Sequence, residues 1–446
     1  MKEAVQERRR LLRVLGLGFG LAVIIGNTIG AGILRTPGEV AAELPSVSLF
    51  LAVWVIGGLY ALLGALSLAE LGTAIPRSGG QYVFAHRALG AYAGFVVGWS
   101  DWLSTCGTIA AVSIVVGEYS GALFPALQGR TVPVALFVTL TFAVLQWRGL
   151  RWGSHAQNLT SLLKAIAFVA LVAACFALGN AEGLKSVQAS SPMPRGLPLL
   201  AALVLALQAV IYTYDGWNGV VYFSEEVREP ARDVPRSLFL GVLSIIVIYL
   251  LVNVALLYVL PLSEIAGDKL AIGRAAEKIF GRYGETVIRS LTIISMLSAI
   301  NAYHMMATRV LFSMSCDRLC SGRADKVNAG GTPTVALFVS ATVAVLFILS
   351  GTFEKVIAIL AFFFVANYTI SFVSVFVLRW REPDLKRPYR AWGYPWTTAL
   401  ALLCSVAFLV GAIISDIANN TRDSLYALLL LALSYPAYLL LRRVSG

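Results

Sequence analysis

Two apolar runs of this chain carry glycines in their middles, and a third carries a lysine. The first reads Ile24-Ile25-Gly26-Asn27-Thr28-Ile29-Gly30-Ala31-Gly32-Ile33; the second reads Ile211-Tyr212-Thr213-Tyr214-Asp215-Gly216-Trp217-Asn218-Gly219. Opening a helix at Gly26–Gly32 or at Gly216 frees backbone N–H and C=O groups that lipid cannot satisfy. Such breaks persist where they line a cavity or hold a ligand, and a matching pair in two halves of a membrane protein points to a transport site. Gly26 and Gly30 also fit the small-residue pattern of plain helix packing, but the paired break favours a site. The lysine is Lys164. It lies about nine residues into its run, roughly 13 Å along at about 1.5 Å per residue, deeper than a snorkelling lysine prefers. An ionisable residue at that depth marks a functional site by default. Loss of its proton would open a route to proton coupling. Asp215 sits in the second break, where it can brace the open backbone, pair with Lys164 or meet a ligand amine. Asp101 and Glu70 are further buried-charge candidates.

These groups need a membrane scaffold, and composition supplies one. Of 446 residues, 58% are hydrophobic and 13% charged, against about 25% charged in soluble domains. Mean hydropathy is +0.78. Twelve spans are predicted: 14–35, 47–72, 91–123, 131–149, 155–179, 197–224, 237–261, 285–315, 334–351, 355–379, 396–416 and 424–442. The expected fold is therefore all-α and polytopic. The breaks fall in spans one and six, so two five-span units, 14–179 and 197–379, enter the membrane from opposite sides. That is a 5+5 inverted repeat by counting. Spans eleven and twelve, 396–442, form a peripheral pair. The stretches Pro76–Gly90 and Pro261–Gly284 read as polar loops.

The net charge of +11 does not imply a nucleic-acid partner. With a cytoplasmic N-terminus, internal segments hold about twice as many Lys and Arg as external ones. Both termini are thus expected in the cytoplasm, with anionic lipid as a secondary partner. The five cysteines, Cys106, Cys175, Cys316, Cys320 and Cys404, lack metal-ligand spacing and suggest no disulfide framework. The first apolar run follows Arg8-Arg9-Arg10 but is longer than a signal core, and is read as a retained span.

The sequence resembles the amino acid–polyamine–organocation superfamily, and within it the bacterial relatives of L-type amino acid transporters. Gly30-Ala31-Gly32-Ile33 resembles the first-span G-(small)-G-I motif. Pro76-Arg77-Ser78-Gly79-Gly80-Gln81-Tyr82 resembles the loop after span two. Tyr214-Asp215-Gly216-Trp217-Asn218 with Glu225-Glu226-Val227-Arg228-Glu229-Pro230 resembles the sixth-span break and its exit. Lys164 falls where these transporters carry a lysine. Arg381-Glu382-Pro383-Asp384-Leu385-Lys386-Arg387-Pro388-Tyr389-Arg390 resembles the loop before span eleven. The resemblance implies ten core helices plus two, and alternating access to a substrate near the midplane. It implies amino acids or related amines as substrates.

An amino acid presents a carboxylate and an ammonium, and a low-dielectric pocket must pair both. The half-helix after the first break offers N–H groups and a positive dipole end to the carboxylate. The half-helix ending at the second offers carbonyls to the amine. By motif matching, Gly30, Ala31 and Gly32 hold the carboxylate, with N–H groups from Ala31 and Gly32. Carbonyls of Thr28, Tyr212 and Asp215 hold the amine. Many relatives have serine where Ala31 stands, so one carboxylate donor is missing. Tyr212 matches an aromatic gate. Lys164 matches a position beside the sodium site of coupled relatives. There it would bridge to carbonyls around Gly26–Ile29 and to hydroxyls such as Ser295 or Ser298, a fixed charge in place of an ion. Arg309 is expected to pair with Glu225 or Glu226, and His304 to be a packed residue. The pocket floor is expected from spans one, three, six, eight and ten.

The leading reading is secondary transport or exchange of amino acids across the cytoplasmic membrane. Neutral substrates are favoured because unpaired acids are scarce near the breaks. The rival is a sodium-coupled carrier of another amine or a nucleobase, against which Lys164 argues. A membrane-embedded enzyme is disfavoured. His86, His155 and His304 lie on separate segments, and no catalytic or metal motif appears. A channel fits two broken helices less well than alternating access. No cofactor is expected. No cysteine lies near 121–131, so no disulfide-linked partner subunit is expected either.

Overall fold

The computed structural model describes residues 11–181, 183, 195–268, 270–350, 353–418 and 423–445. Most of the 180–198 connection lies outside them, as does the Arg8–Arg10 run. The chain is helical throughout its membrane runs. In order the helices are α1 (Leu17–Thr28), α2 (Ala31–Glu43), α3 (Val47–Ala74), α4 (Gln81–Leu89), α5 (Ala91–Leu123), α6 (Thr131–Trp147), α7 (Leu150–Leu178) and α8 (Leu197–Tyr214). They continue as α9 (Pro230–Val259), α10 (Leu262–Ile265), α11 (Ala271–Phe280), α12 (Gly284–Cys316), α13 (Thr334–Ser350), α14 (Phe353–Arg381), α15 (Trp396–Ala418) and α16 (Asp423–Ser445). Every one of the twelve expected spans has its helix. The first is the broken pair α1/α2, bent by 47°. The sixth is α8 followed by a 3-10 segment, Gly219–Phe223.

The inverted-repeat plan appears in who packs against whom. Span three (α5) lies along span eight (α12), and span two (α3) along span seven (α9); these are the two most extensive helix pairings among the described residues. Span four (α6) packs on span nine (α13), and span one meets span six at the breaks. Each of these helices touches its counterpart in the other unit, the arrangement that two interlocked inverted repeats produce.

Two expected loops hold helices. Within 76–90, α4 buries Gln81, Tyr82, Val83, Phe84, Ala85 and Ala88. Within 261–284, α11 buries Ala271, Ile272, Gly273, Ala275 and Ala276 on one side, the one-sided stripe of an amphipathic helix.

The end of the bundle at which α1 begins, here the N-terminal face, is tightly tied. Leu15 N–H donates to the Glu226 carbonyl at 2.9 Å, and Arg228 N–H to the Leu15 carbonyl at 2.8 Å. Glu70 of α3 is buried, and it accepts from the Arg379 guanidinium at 2.8 and 2.6 Å and from Ala391 N–H at 2.6 Å. Arg387 lies 3.3 Å from the same carboxylate. The segment before α15 is thereby fastened to the core, while Trp380, Trp392 and Trp396 stand about 80% exposed around it.

Candidate functional site

The two breaks touch. Gly216 adopts φ +100°, a left-handed conformation that side chains resist, and a Cβ there would lie 2.8 Å from the Asn27 Cβ and 3.1 Å from the Thr28 nitrogen. Gly32 also packs closely, its missing Cβ 3.0 Å from the Thr213 side chain. Tyr249 of α9 pins both breaks from behind. Its hydroxyl lies 2.7 Å from the Thr28 carbonyl and 2.9 Å from that of Thr213. Nothing in the sequence singled Tyr249 out, since one tyrosine in an apolar span resembles any packed aromatic.

A cavity of about 290 Å³ opens over this contact, on the side of the breaks away from the N-terminal face. Spans one, three, six, eight and ten all contribute to its wall, with Gly30, Val112, Tyr212, Asp215, Tyr303 and Phe364 among the lining residues. Arg35 and Glu39 of α2 stand farther out along the same wall. The helix α2 starts at Ala31 with Gly30 as its N-cap and no side-chain cap. Its first N–H groups therefore have no partner in their own helix. Across the cavity α8 ends at Tyr214 with Asp215 as its C-cap. The cavity thus has a donor-rich start and an acceptor-rich end facing one space.

The sequence-derived residues sort as follows. Gly30, Gly32, Thr28, Tyr212 and Asp215 line the cavity. Two of the three expected amine carbonyls already have a donor: Tyr249 at Thr28, and Asp215 N–H at Tyr212, 3.1 Å. A carbonyl has two lone pairs, so each keeps one. Tyr212 is about a third exposed and stands at the cavity wall. Lys164 is fully buried, and its ammonium donates to the Gly26 and Ile29 carbonyls at 2.7 Å each. Ser295 donates to the same Ile29 carbonyl at 2.8 Å.

Ser298 does not reach this group. It lies with Gln157 and Ser161 at 3.2 and 2.9 Å, and all three press on the Cα of Gly26, where a Cβ would come within 2.1 to 2.7 Å of them. Gly26 is therefore a packing glycine beside the break. Lys164 does not pair with Asp215. The Asp215 carboxylate instead accepts from the Tyr368 hydroxyl at 2.5 Å, because Lys164 is spent on the backbone of the first break. Arg309 pairs with Glu226, at 3.0 and 2.9 Å, both side chains essentially without exposure. The Arg309 guanidinium also lies 5.4 Å over the Phe223 ring. His304 is buried, as its apolar neighbours suggested.

Beneath the cavity the N-terminal face is closed by side chains from both units. Arg309–Glu226 is its deepest tie. Below it Asp317 accepts from Arg77 at 3.0 Å and from the Tyr82 hydroxyl at 2.8 Å. The site is open on one side and sealed on the other.

Among the described residues eight helices, or nine with the bent α1/α2 pair taken as one span, are long and apolar enough to cross a membrane, and two broken runs that meet at one cavity suit a membrane transporter. Comparison with known families agrees: the family model described as "Amino acid permease" matches residues 19–434. The chain belongs to the amino acid permease family, within the superfamily its motifs resemble, and is a multi-pass membrane transporter rather than an enzyme. It is 29% identical to the serine/threonine exchanger SteT of Bacillus subtilis (strain 168), over 92% of this chain and 93% of that protein. It is 28% identical to human Asc-type amino acid transporter 1, covering 91% of this chain and 77% of the relative. The mouse b(0,+)-type amino acid transporter 1 is 26% identical over 91% of this chain and 84% of its own length.

Proposed function

We propose that this protein carries neutral amino acids by alternating access, as an exchanger or a secondary transporter of the cytoplasmic membrane. The observation that carries the reading is the single cavity shared by the start of α2 and the end of α8. The substrate carboxylate docks on N–H groups of Gly30–Gly32, held by backbone alone. The amine meets the remaining lone pairs of Thr28 and Tyr212 and the carbonyl of Asp215. Tyr212 closes over the bound substrate.

About 290 Å³ is at the small end of ligand pockets, which start near ~300 Å³. Small and hydroxylated amino acids fit that volume, and a relative named for serine and threonine supports starting there. Lys164 sits on the carbonyls that a cation would otherwise take, so its ammonium serves as the ion. Transport is then independent of sodium, which sets this reading apart from a sodium-coupled carrier of another amine. The excess of Lys and Arg on the N-terminal face supports a cytoplasmic side for both termini. The state described above then faces outward, with its inner gate shut.

Uptake of labelled amino acids into proteoliposomes, under imposed sodium or proton gradients, tests this. The expectation is counterflow of serine, threonine or alanine, unchanged when sodium is replaced by choline. Absence of both transport and thermal stabilisation for every amino acid overturns it.

A further inference from the structure

Below the substrate cavity lies a second, smaller and more enclosed space of about 10 Å³, on the scale of one water molecule. Tyr303, Phe364 and Asp215 line both spaces and stand between them. The lower chamber holds two carboxylates, Asp101 of α5 and Asp215 of the break. Asp101 is 1% exposed. Its carboxylate oxygens lie 2.8 and 3.0 Å from the Tyr222 hydroxyl, and no cation within 4 Å pairs with it among the described residues. Gln81, 2% exposed, also lines the chamber, and its side-chain nitrogen has no partner. That unpaired donor marks room for a bound water.

The surroundings offer Asp101 no positive charge. From α12, Tyr303 faces the chamber, while Arg309 is engaged by Glu226 and His304 is not in the lining. From α14, Tyr368 faces it, while Arg379 is engaged by Glu70. From α4, Tyr82 and His86 turn to Asp317, and Arg87 to Glu382. The helices α6 and α13, also packed on α5, contain no charged residue, and those of α16 lie at its ends. Asp215 reaches the open cavity above and so has water and the substrate amine to meet. Two carboxylates at one small space cannot both stay ionised cheaply. The different environments divide the roles.

We propose that Asp101 is a proton-binding site that couples transport to a proton gradient. This rests on the transport reading above. Asp101 carries the proton while the N-terminal face is closed. Tyr222 belongs to the same 3-10 segment that leads to the gate. Its carbonyl accepts from Gly79 N–H at 3.1 Å, and its ring fills the place a Gly80 Cβ would occupy, 2.4 Å away. Opening the gate withdraws this segment, takes the Tyr222 hydroxyl from Asp101 and admits water from the N-terminal side. The proton then passes from the Asp101 carboxyl to that water, and the carboxylate is hydrated. Substrate and proton leave on the same side.

Two measurements test it on the full-length protein. The first is infrared difference spectroscopy of purified protein as pH is changed, which needs no substrate. A carboxylic C=O band that titrates in the wild type is expected to vanish in Asp101→Asn and to persist in Asp215→Asn. The second is L-serine uptake into proteoliposomes, with and without an inward proton gradient. The wild type is expected to show several-fold stimulation by the gradient. In Asp101→Asn the ratio falls to one. Tyr222→Phe keeps the ring against Gly80 and should move the pH at which the band titrates. A band unaffected by Asp101→Asn, or a gradient ratio unchanged in it, overturns the proposal. If no amino acid is transported, the transport reading fails while the infrared band still decides whether Asp101 holds a proton.

Discussion

Lys164 is stabilised by backbone carbonyls and not by a carboxylate. Two bonds of 2.7 Å tie it to the Gly26 and Ile29 carbonyls at the C-terminal end of α1, so one charge closes off what the break leaves exposed. Lys164→Ala strands the Gly26 carbonyl, at about 1–3 kcal/mol for such a group, while Ser295 still donates to that of Ile29. We expect at least tenfold slower transport and a lower Tm. We also expect sodium to raise the Tm of the variant and not of the wild type; thermal unfolding with sodium or choline checks this. The glycines divide by geometry. Gly30→Ala has room, with Met296 Cε 3.7 Å away, and should fold while raising KM severalfold. Gly216→Ala meets both positive φ and the backbone of Asn27–Thr28, and should lose about 2–5 kcal/mol, seen as poor expression and a depressed Tm. The lysine and the breaks were legible because charge and glycine are conspicuous in apolar runs. Tyr222, Tyr249 and Tyr368 were not. Their hydroxyls act across spans, and nothing local separates them from ordinary packed tyrosines.

Between helices, the telling element is the stretch from the second break to α9. It contributes Phe223 and Glu226 to the closed face, and both meet Arg309 of α12. Removing one partner of a buried pair leaves a buried charge, at about 3–5 kcal/mol. That penalty applies only while the face is shut, so Arg309→Ala favours the open state. The expected result is thiol-reagent access to a cysteine placed at Val221 from the N-terminal side, much faster in Arg309→Ala than in Val221→Cys alone. The helices α4 and α11 show where the sequence was less transparent. Both are short and lie in segments whose polar residues suggested loops. The one-sided stripe of α11 was present in Ala271, Ile272, Ala275 and Ala276, but ten residues at the edge of the membrane give hydropathy little to detect.

For the molecule as a whole, the twelve spans were legible because a bilayer demands long apolar runs, and the 5+5 division was read from their number and the place of the breaks, whereas the pairing of counterparts came from the packing. Orientation is the part that rests on charge balance. Cys316 at the end of α12 is exposed on the N-terminal face, which gives a direct check. An impermeant maleimide should label it in inside-out vesicles and spare it in intact cells, provided the wild type is compared with Cys316→Ser. The loop fastened to Glu70 bears on orientation in a different sense. Trp380, Trp392 and Trp396 surround one rigid point, and indole rings settle at the headgroup level of a bilayer. Held by two guanidiniums and a backbone amide, they act as a waterline painted on a hull. They fix how deep the bundle rides, so that when the gate elements swing, they swing against a body moored to the lipid surface.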